Sequence, residues 1–451
     1  MVRTALVGLR VTAAQRRRCF GLLAGAGDVW AAVLDMNRWR RQRGVGAVVS
    51  YQALCRELAA AGRGTFGELD SVGARSVLRR YSDAWFTAAR VRAGGRGPLV
   101  RFPRRKRRLL PVRYYHGTFT LSGRRLRLPV ARGCAPLWVR LDRQVPYPEA
   151  QVRSVTLLNE GGRLFVEVTA EVPVAVYPPG GAPDPGRVAR VDLGVIHPYA
   201  VAGPCGQGLL MSGRALRAEN HLHLADAKRR RRAVARRAPR PGQAGSRRWR
   251  KYRARQRTVE ARHRRRIRQA QHEAAKEVVT WAVARRVGTL TVGDPRGVLT
   301  VQAGRRHNQR LRTWRPAALI RHLADKAAQA GITVVLADER GSSSTCPACH
   351  RRVPKPAGRV LTCRSCGFCG HRDLAGAANI ARRTPAGGPA TSSTLPVAIT
   401  HRRAGRHLPG AGRSRRDPRR RHHHGTAPRS PGQPRPAPHA GSRSPREDQA
   451  T

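Results

Sequence analysis

Four cysteines near the C-terminal end have the spacing of a zinc site. Cys346 and Cys349 form one CxxC pair, and Cys363 and Cys366 form a second pair after thirteen intervening residues. Two such pairs supply four thiolates for a tetrahedral zinc ion, and a closed site of this kind supports structure rather than catalysis. Cys369 extends the second pair to CxxCxxC, so it is either a spare thiol or a competitor for the fourth ligand position.

Two aspartates occupy positions where a carboxylate could do chemistry. Asp192 lies within an apolar, β-branched run, 187–202, whose pattern predicts a buried strand. A buried carboxylate is costly unless it is paired or binds a metal, although a bond to a neighbouring turn at a strand end is an alternative. Gly194 leaves room for another backbone or a ligand. Asp373, just after the cysteines, opens a predicted helix, where aspartate is commonly an N-cap.

The charge of the chain indicates a nucleic-acid partner. The chain has 451 residues and a formal net charge of +63, from 89 Lys and Arg against 26 Asp and Glu. The segment 228–268 alone holds 20 Lys and Arg and one acid, Glu260. Such a density of like charge requires a polyanion nearby, although a solvated charged helix is the alternative. The residues of this segment that we predict to contact nucleic acid are Arg229, Arg230, Arg231, Arg232, Arg247, Arg248, Arg250 and Lys251.

Cysteine usage and the N-terminal sequence predict an intracellular protein. Five of the nine cysteines cluster near the C-terminal end, which is typical of a metal site in a reducing compartment and not of a disulfide framework. The N-terminal residues include Arg3 and Arg10, and no apolar run among them fits a signal peptide. We expect no membrane contact, because no window has the length of a membrane-spanning helix. The expected location is the cytoplasm, with access to the nucleoid.

Periodicity predicts an alternation of helical and strand-rich segments. Segments with helical patterns are 11–60, 71–92, 215–286 with a break at 238–246, and 316–330. Segments with strand patterns are 94–173, 187–202, 287–298 and 332–340, and the first of them predicts a small antiparallel β-barrel or sandwich. The strand–helix–strand order after residue 187 predicts an α/β core with some parallel pairing. The last segment, 384–451, has 11 Pro, 13 Arg and no aromatic residue, so we expect it to be a disordered basic tail.

These motifs together resemble the transposon-encoded TnpB (OrfB) nucleases. The motifs are the D-x-G strand with Asp192 and Gly194, the basic helical segment, the paired CxxC ribbon, and the sequence RDLAGAANI that contains Asp373. The family is similar to the type V CRISPR effectors. The specific motifs cover about 187–383, whereas the N-terminal half is similar only in general layout.

The resemblance implies a fold class and an order of domains. The expected fold is an α/β RNase H-like (RuvC) nuclease domain with an inserted zinc ribbon, preceded by a wedge-type β-barrel that carries an inserted helical recognition lobe. The expected ranges are 1–186 for the barrel with its lobe at about 11–92, 187–340 for the nuclease core with a basic helical hairpin at about 215–286, 341–370 for the ribbon, 371–383 for the last nuclease segment and 384–451 for the tail.

The resemblance also implies an activity. Members of the family use a guide RNA from their own element to find DNA beside a short motif, and then cut it. Base pairing reads the sequence, and the protein reads shape and the adjacent motif. Guide RNA and target DNA are therefore the expected partners. Cleavage of the RNase H type places two Mg²⁺ ions between carboxylates, and Asp192 and Asp373 match the first and third acids of the family.

The second acid of the family pattern is displaced in this sequence. Gly293 stands where the middle strand normally carries a glutamate. Glu339, at the end of the next strand, is the candidate replacement, and Asp294 is a weaker one because it points half a pleat away. We expect the Glu339 oxygens to lie roughly 4–5 Å from those of Asp192 and Asp373. The alternative is a surface glutamate that pairs with Arg340.

Three interpretations remain open at the level of sequence. The first is a metal-dependent, RNA-guided DNA endonuclease. The second is an RNA-guided DNA-binding protein that has lost cleavage, which the glycine at position 293 allows. The third is a zinc-ribbon DNA-binding protein that acts without a guide.

Overall fold

The N-terminal half of the chain is an antiparallel sheet with a helical insertion. The computed structural model describes residues 1–62, 65–95, 100–295, 304–354, 356, 358–380 and 396–409, without the side chains of 306 and 307. The inserted helices are α1 (Ala13–Gln42), α2 (Tyr51–Ala60) and α3 (Ser71–Ala93). The strands are β1 (Val2–Arg10), β2 (Val112–Tyr115), β3 (Thr120–Ser122), β4 (Arg125–Leu128), β5 (Leu137–Leu141), β6 (Val152–Glu160) and β7 (Arg163–Glu171).

The predicted helical insertion is confirmed, and its helices begin at capping residues. Thr12 and Gln15 form a capping box at the start of α1, and the Asp70 carboxylate accepts the Val72 and Gly73 backbone N–H groups at the start of α3. Helices and sheet share one core, in which Leu22 and Val29 lie with Val112 and Val166. The helical lobe therefore packs on the sheet and contributes to its stability.

The expected barrel is an open sheet in the described residues. The strand order is β2-β6-β7-β1-β5-β4-β3 with antiparallel pairing throughout, and no pairing joins the two end strands there. Strand β1 joins two parts of this sheet, because its residues Val2–Gly8 pair with β7 whereas Leu9 and Arg10 pair with β5. The prediction of antiparallel β-structure is confirmed, and the described strands pair as an open sheet.

One expectation about membranes needs correction. By length and composition, α1 could cross a membrane, although we expected no window of that kind. In the structure, 56% of its apolar window is buried inside the protein. Cys19, Leu22 and Val29 are among its core residues. The apolar character of α1 is therefore explained by its packing between the sheet and α3.

The second half contains a mixed sheet of six strands. Its strands are β8 (Asp184–Asp192), β9 (Tyr199–Ala202), β10 (Gln207–Ser212), β11 (Val287–Asp294), β12 (Thr333–Asp338) and β15 (Ala398–Arg403), in the order β12-β11-β8-β9-β10-β15. The central strands β8, β9 and β10 are antiparallel, whereas β11 pairs in parallel with both β8 and β12. The predicted α/β core with parallel pairing is confirmed.

Helices cover both faces of this sheet. The helices of this half are α4 (Arg214–Ala235), α5 (Arg247–Val283), α6 (Arg305–Thr313), α7 (Pro316–Gln329) and α8 (Arg372–Ile380). On one face, Val278 of α5 and Leu323 of α7 share a core with Val191 and Leu290. On the other face, Leu374 of α8 packs with Ala200 and Leu210. The small side chains of Ala377 and Ala378 let α8 lie close to β9.

In the chain, a two-stranded hairpin lies between β12 and α8. Its strands are β13 (Val360–Thr362) and β14 (Cys369–His371), which pair antiparallel. The second CxxC pair lies in the turn between them. The hairpin leads directly into α8, so the ribbon and the helix that carries Asp373 are continuous.

The prediction of a tail disordered throughout 384–451 is wrong for its strand β15. That strand pairs in parallel with β10 over all six of its residues, and Ala404 and Leu408 are buried in the core beneath. A segment without aromatic residues cannot form its own core, but a strand needs only an existing sheet edge for its backbone. The ranges 384–395 and 410–451 lie outside the described residues, as do the last residues of the predicted segment 371–383.

Candidate active site and zinc site

Asp192 is the last residue of β8, and its side chain lies on the face of the mixed sheet that α8 covers. A tight turn follows, in which the Gly194 N–H donates to the His197 carbonyl at 2.9 Å. A Cβ on Gly194 would lie 2.8 Å from that carbonyl oxygen, so only glycine fits. A Cβ on Gly376 of α8 would lie 3.6 Å from Asp192 Oδ2. Asp192 therefore faces the first turns of α8, and the predicted close approach at Gly194 is made by backbone.

The Glu339 side chain occupies the space above Gly293. These residues lie on neighbouring strands, since Gly293 pairs with Ala337, two residues before Glu339. A Cβ on Gly293 would lie 2.7 Å from Glu339 Oε2 and 3.1 Å from its Cβ. Glu339 Oε2 is buried and has no hydrogen-bond partner. An orphaned carboxylate oxygen in such a position is costly unless a cation completes it, so the position fits a metal ligand.

Asp373 lies in the first turn of α8 and is held by two other segments. His197 Nδ1–H donates to Asp373 Oδ2 at 2.7 Å. Arg359 Nη1 donates to both oxygens, at 2.9 Å to Oδ1 and 3.1 Å to Oδ2. The Asp373 backbone N–H donates to His371 Nδ1 at 3.3 Å. The carboxylate is buried and engaged by an imidazole from the β8–β9 turn and a guanidinium from the ribbon.

The electrostatics of the three acids differ. Burial and the negative charges of Asp373 and Glu339 raise the pKa of Asp192 to about 8. Burial, Asp294 and Asp338 raise the pKa of Glu339 to about 7. Burial also opposes ionisation of Asp373, but the His197 hydrogen bond and the Arg359 charge outweigh it and lower the pKa of Asp373. Acids whose environments resist ionisation in this way are typical of metal-binding or catalytic sites.

The three predicted acids do not form one of the close groups of ligand atoms in the described residues. In the described part of the chain, two groups of potential ligands have all their atoms within 4.8 Å, and the three acids are not one of them. One group is the four cysteines, and the other is His197, His371 and Asp373. Asp373 is thus turned toward the histidines and Arg359. His197, Arg359 and His371 were not predicted from the sequence. The signal for the two histidines was their closeness in sequence to Asp192 and Asp373.

Asn379 fixes the segment that connects Glu339 to the ribbon. Its side-chain amide donates to the Ser342 and Thr345 carbonyls, both at 2.8 Å. The Ser342 N–H donates to the Glu339 carbonyl at 3.1 Å. A buried amide with two backbone partners holds one conformation of that segment. The asparagine of the motif after Asp373 therefore helps to position Glu339.

The four predicted zinc ligands lie together. The Sγ atoms of Cys346 and Cys366 are 3.6 Å apart, as are those of Cys349 and Cys363. Sulfurs at about 2.3 Å from a tetrahedral zinc ion are about 3.8 Å apart, so the set fits zinc. Against the effect of burial, hydrogen bonds from the backbone and among the sulfurs favour the thiolate of Cys363, whose pKa falls to about 6, at the expense of Cys366, whose pKa rises to about 12. Cys369 lies outside this set and is exposed.

The basic segment forms the helical hairpin of α4 and α5, as predicted. Of the eight residues that we expect to contact nucleic acid, seven are exposed. The eighth, Arg230, is half-buried and donates to Asp226 at 2.7 Å. Other arginines of the segment face the protein, since Arg265 and Arg268 both pair with Glu160 at the end of β6. The hairpin is therefore anchored to the N-terminal sheet on one side and presents free charge elsewhere.

Two families match parts of the chain. Residues 171–299, which contain Asp192, match OrfB_IS605, described as "Probable transposase". Residues 317–380, which contain Glu339, the four cysteines and Asp373, match the Cas12f1-like TNB domain. No curated protein matches the chain.

Solved structures of RNA-guided effectors are similar to the chain. The Cas12f1 chain of a cryo-EM complex with sgRNA and target DNA is 14% identical, with 83% of each chain covered and a TM-score of 0.56. The mini-RNA-guided endonuclease CRISPR-Cas_phi3 is 10% identical over 89% of this chain and 93% of that one, with a TM-score of 0.47. The two family matches, together with the fold shared with the Cas12f1 chain, support a TnpB-like protein, which confirms the resemblance drawn from its motifs.

Proposed function

We propose that this protein is a transposon-associated, RNA-guided DNA endonuclease that hydrolyses phosphodiester bonds with Mg²⁺. The observation that carries the proposal is the buried Glu339 oxygen without a partner, in the space that Gly293 leaves beside β8. A carboxylate in this place replaces the glutamate that the middle strand lacks. Guide RNA and target DNA are the proposed partners, and the protein acts inside the cell.

The proposed fold assignment follows from the strand order. The mixed sheet, with three antiparallel strands followed by two parallel ones, has the arrangement that we assign to a RuvC-like, RNase H-type core. The N-terminal sheet corresponds to the wedge domain, with α1–α3 as its recognition lobe. The paired CxxC segment is the zinc ribbon, whose zinc we propose to be structural.

The proposed chemistry assigns a role to each acid. Asp192, Glu339 and Asp373 would hold two Mg²⁺ ions, which when bound supply activation of water and stabilisation of the leaving oxygen. Without metal, burial and neighbouring acids raise the pKa values of Asp192 and Glu339 to about 8 and about 7, and a bound cation would favour their ionised forms. His197 orients Asp373 through its Nδ1–H bond. Exposed arginines and Lys251 of the α4–α5 hairpin would contact the nucleic-acid backbone.

The direct test uses RNA that co-purifies with the protein. That RNA is sequenced, a matching target with randomised flanking DNA is prepared, and cleavage is measured with and without Mg²⁺. Asp192→Ala and Asp373→Ala should each abolish cutting and leave target binding nearly intact. Cutting by either variant at the wild-type rate would refute the assignment of that acid. Absence of bound RNA would favour the guide-independent DNA-binding protein.

A second candidate function is RNA-guided binding without cleavage. The observation that favours it is the engagement of Asp373 by Arg359 and His197, with the three acids not drawn together within 4.8 Å. Guide-dependent target binding without cutting, at every Mg²⁺ concentration tried, would select this function.

A further inference from the structure

The zinc ribbon reaches the candidate active site through one arginine. Arg359 precedes β13, and its Nη1 contacts both oxygens of Asp373 at 2.9 and 3.1 Å. The Asp373 side chain is 9% exposed, whereas that of Arg359 is 36% exposed. A guanidinium with one side in solvent therefore covers a buried acid that we assign to metal binding.

The architecture of the hairpin fixes this contact. Its ladder pairs Val360 with His371, and the Arg372 N–H donates to the Arg359 carbonyl at 2.7 Å. Arg359 therefore lies opposite Arg372, one residue before Asp373. The turn at the other end of the same ladder carries Cys363 and Cys366. The zinc ligands thus close one end of the hairpin, and Arg359 and Asp373 lie at its open end.

The positive charges around Asp373 come from several elements. Arg372 Nε lies 3.8 Å from Oδ1 and has no hydrogen-bond partner of its own. His197 adds a hydrogen bond from the β8–β9 turn, and the His371 ring lies edge-on to that of His197 with centroids 5.1 Å apart. Only Arg359 contacts both carboxylate oxygens among these groups, so a metal ion on Asp373 would compete with Arg359 above all.

We propose that Arg359 is a ribbon-borne counter-ion that occupies the Asp373 carboxylate and must leave before a divalent metal can bind there. It acts as a positioning residue through Asp373. The ribbon thereby controls when the metal site is completed, in addition to stabilising the fold. This inference rests on the proposed metal-binding role of Asp373.

The test measures metal affinity without nucleic acid. Mn²⁺ is titrated into the full-length, zinc-loaded protein, and free Mn²⁺ is followed by electron paramagnetic resonance. Arg359→Gln removes the charge and the two contacts, so Mn²⁺ should bind at least about fivefold more tightly, the lower end of typical coupling between sites. Arg364→Gln is the matched control, because Arg364 is an exposed arginine between the zinc-ligating cysteines of the same hairpin. Its Mn²⁺ affinity should equal that of the wild type.

Two further variants keep the outcome interpretable. Asp373→Asn should abolish the increase in Mn²⁺ affinity caused by Arg359→Gln. The single variant Asp373→Asn and the double variant Asp373→Asn with Arg359→Gln should therefore bind Mn²⁺ equally. Arg359→Lys keeps a charge without the planar fork, and its affinity should lie between those of wild type and Arg359→Gln. If Arg359→Gln loses zinc, the Arg359→Lys comparison alone decides: an affinity equal to the wild type, or weaker, refutes the proposal.

Other results would overturn the inference. Equal or weaker Mn²⁺ binding by zinc-loaded Arg359→Gln would show that Arg359 does not compete with the metal. The proposed function would still stand if the wild type cut DNA and its Mn²⁺ affinity depended on Asp192 and Glu339. If no Mn²⁺ binding depended on those two acids, the proposed metal site itself would fail.

Discussion

The zinc site and the acid site differ in how the chain assembles them. The four cysteines come from one segment of 21 residues, 346–366, and their sulfurs already lie at zinc-binding distances. The acids come from positions 192, 339 and 373, on two strand ends and a helix, and they are not gathered to 4.8 Å. Local ligands are positioned by a hairpin, whereas distant ones depend on the whole sheet.

This difference gives a physical reason why the proposed displacement concerns the acid site and not the cysteines. A cysteine of the ribbon cannot move without losing a ligand of a closed tetrahedral site. In the sheet, adjacent parallel strands bring several side chains to one edge, so the glutamate directly after β12 can fill the space beside Gly293 of β11. The cysteine site therefore depends on the spacing of its ligands in the sequence. The acid site depends on which strand ends lie side by side in the folded sheet.

The largest expected effect concerns Glu339. Glu339→Gln keeps the shape of the side chain but removes the charge, so the cutting rate should fall by more than about a hundredfold. Removing a residue that only orients a metal ligand typically costs up to about a hundredfold, so a larger loss indicates a direct ligand. Asp294→Asn is the control and should cut nearly as the wild type does. Rates are measured with the cognate guide and target. Normal cutting by Glu339→Gln would refute the displaced-glutamate assignment.

A pair of substitutions sharpens the same point. Gly293→Glu alone should reduce cutting, because its Cβ would lie 2.7 Å from Glu339 Oε2 and 3.0 Å from Ile380 Cδ1. Combined with Glu339→Gly, which empties the space, it should recover part of the activity that Glu339→Gly loses. If the double variant cut no better than Glu339→Gly alone, the two positions would not be interchangeable.

The next effect tests the closed zinc site. Purified protein should contain about one zinc per chain, and Cys363→Ser should lose it. Cys369→Ser should retain zinc, since Cys369 lies outside the group of four sulfurs. Metal content by mass spectrometry measures both. Zinc loss in Cys369→Ser would move the fourth ligand to that residue.

A smaller effect is expected from the basic hairpin. Neutralising Arg231, Arg232, Arg247 and Arg248 together should weaken binding equally for all sequences, and should reduce the slope of log K against log salt by roughly 0.7–0.9 per lost contact. The matched control is Arg265→Gln with Arg268→Gln, whose side chains pair with Glu160 and should leave the slope unchanged. An unchanged slope for the fourfold variant would show a merely solvated face.

The last prediction concerns the dependence of stability on pH. In the folded chain, Asp192 and Glu339 release protons near pH 8 and 7, whereas their ordinary pKa values are 3.8 and 4.5. The folded state therefore binds more protons than the unfolded state between these limits, and the metal-free protein should lose stability as pH rises from about 4 to about 8. Asp192→Asn and Glu339→Gln should each reduce that loss, giving a Tm above wild type at pH 8 but not at pH 4. Thermal scans without divalent metal measure this, and equal Tm values at pH 8 would contradict the raised pKa values.

Much of the fold follows from sequence patterns, and the exceptions have physical causes. The helices α4 and α5 and the strands β11 and β12 were predictable, because long periodic or β-branched segments dominate their own structure. The strand β15 was not, because its stability comes from the edge of β10 and not from its composition. At the site, motif spacing indicated Asp192, Asp373 and the cysteines. Arg359 and His197 were missed, since nothing local distinguishes them from other basic residues.

The position of β15 sets a lower limit on how far the chain can be shortened. Arg402 lies 3.7 Å from Glu277 of α5, and His407 lies 2.9 Å from Glu273 of the same helix. The segment therefore pairs with β10 at the edge of the sheet and also covers part of the core. A truncation directly after α8 would remove β15 and leave the backbone of β10 free to pair with strands of other molecules. A minimised version of this protein, or a fusion to its C-terminal side, should therefore retain the chain through residue 409.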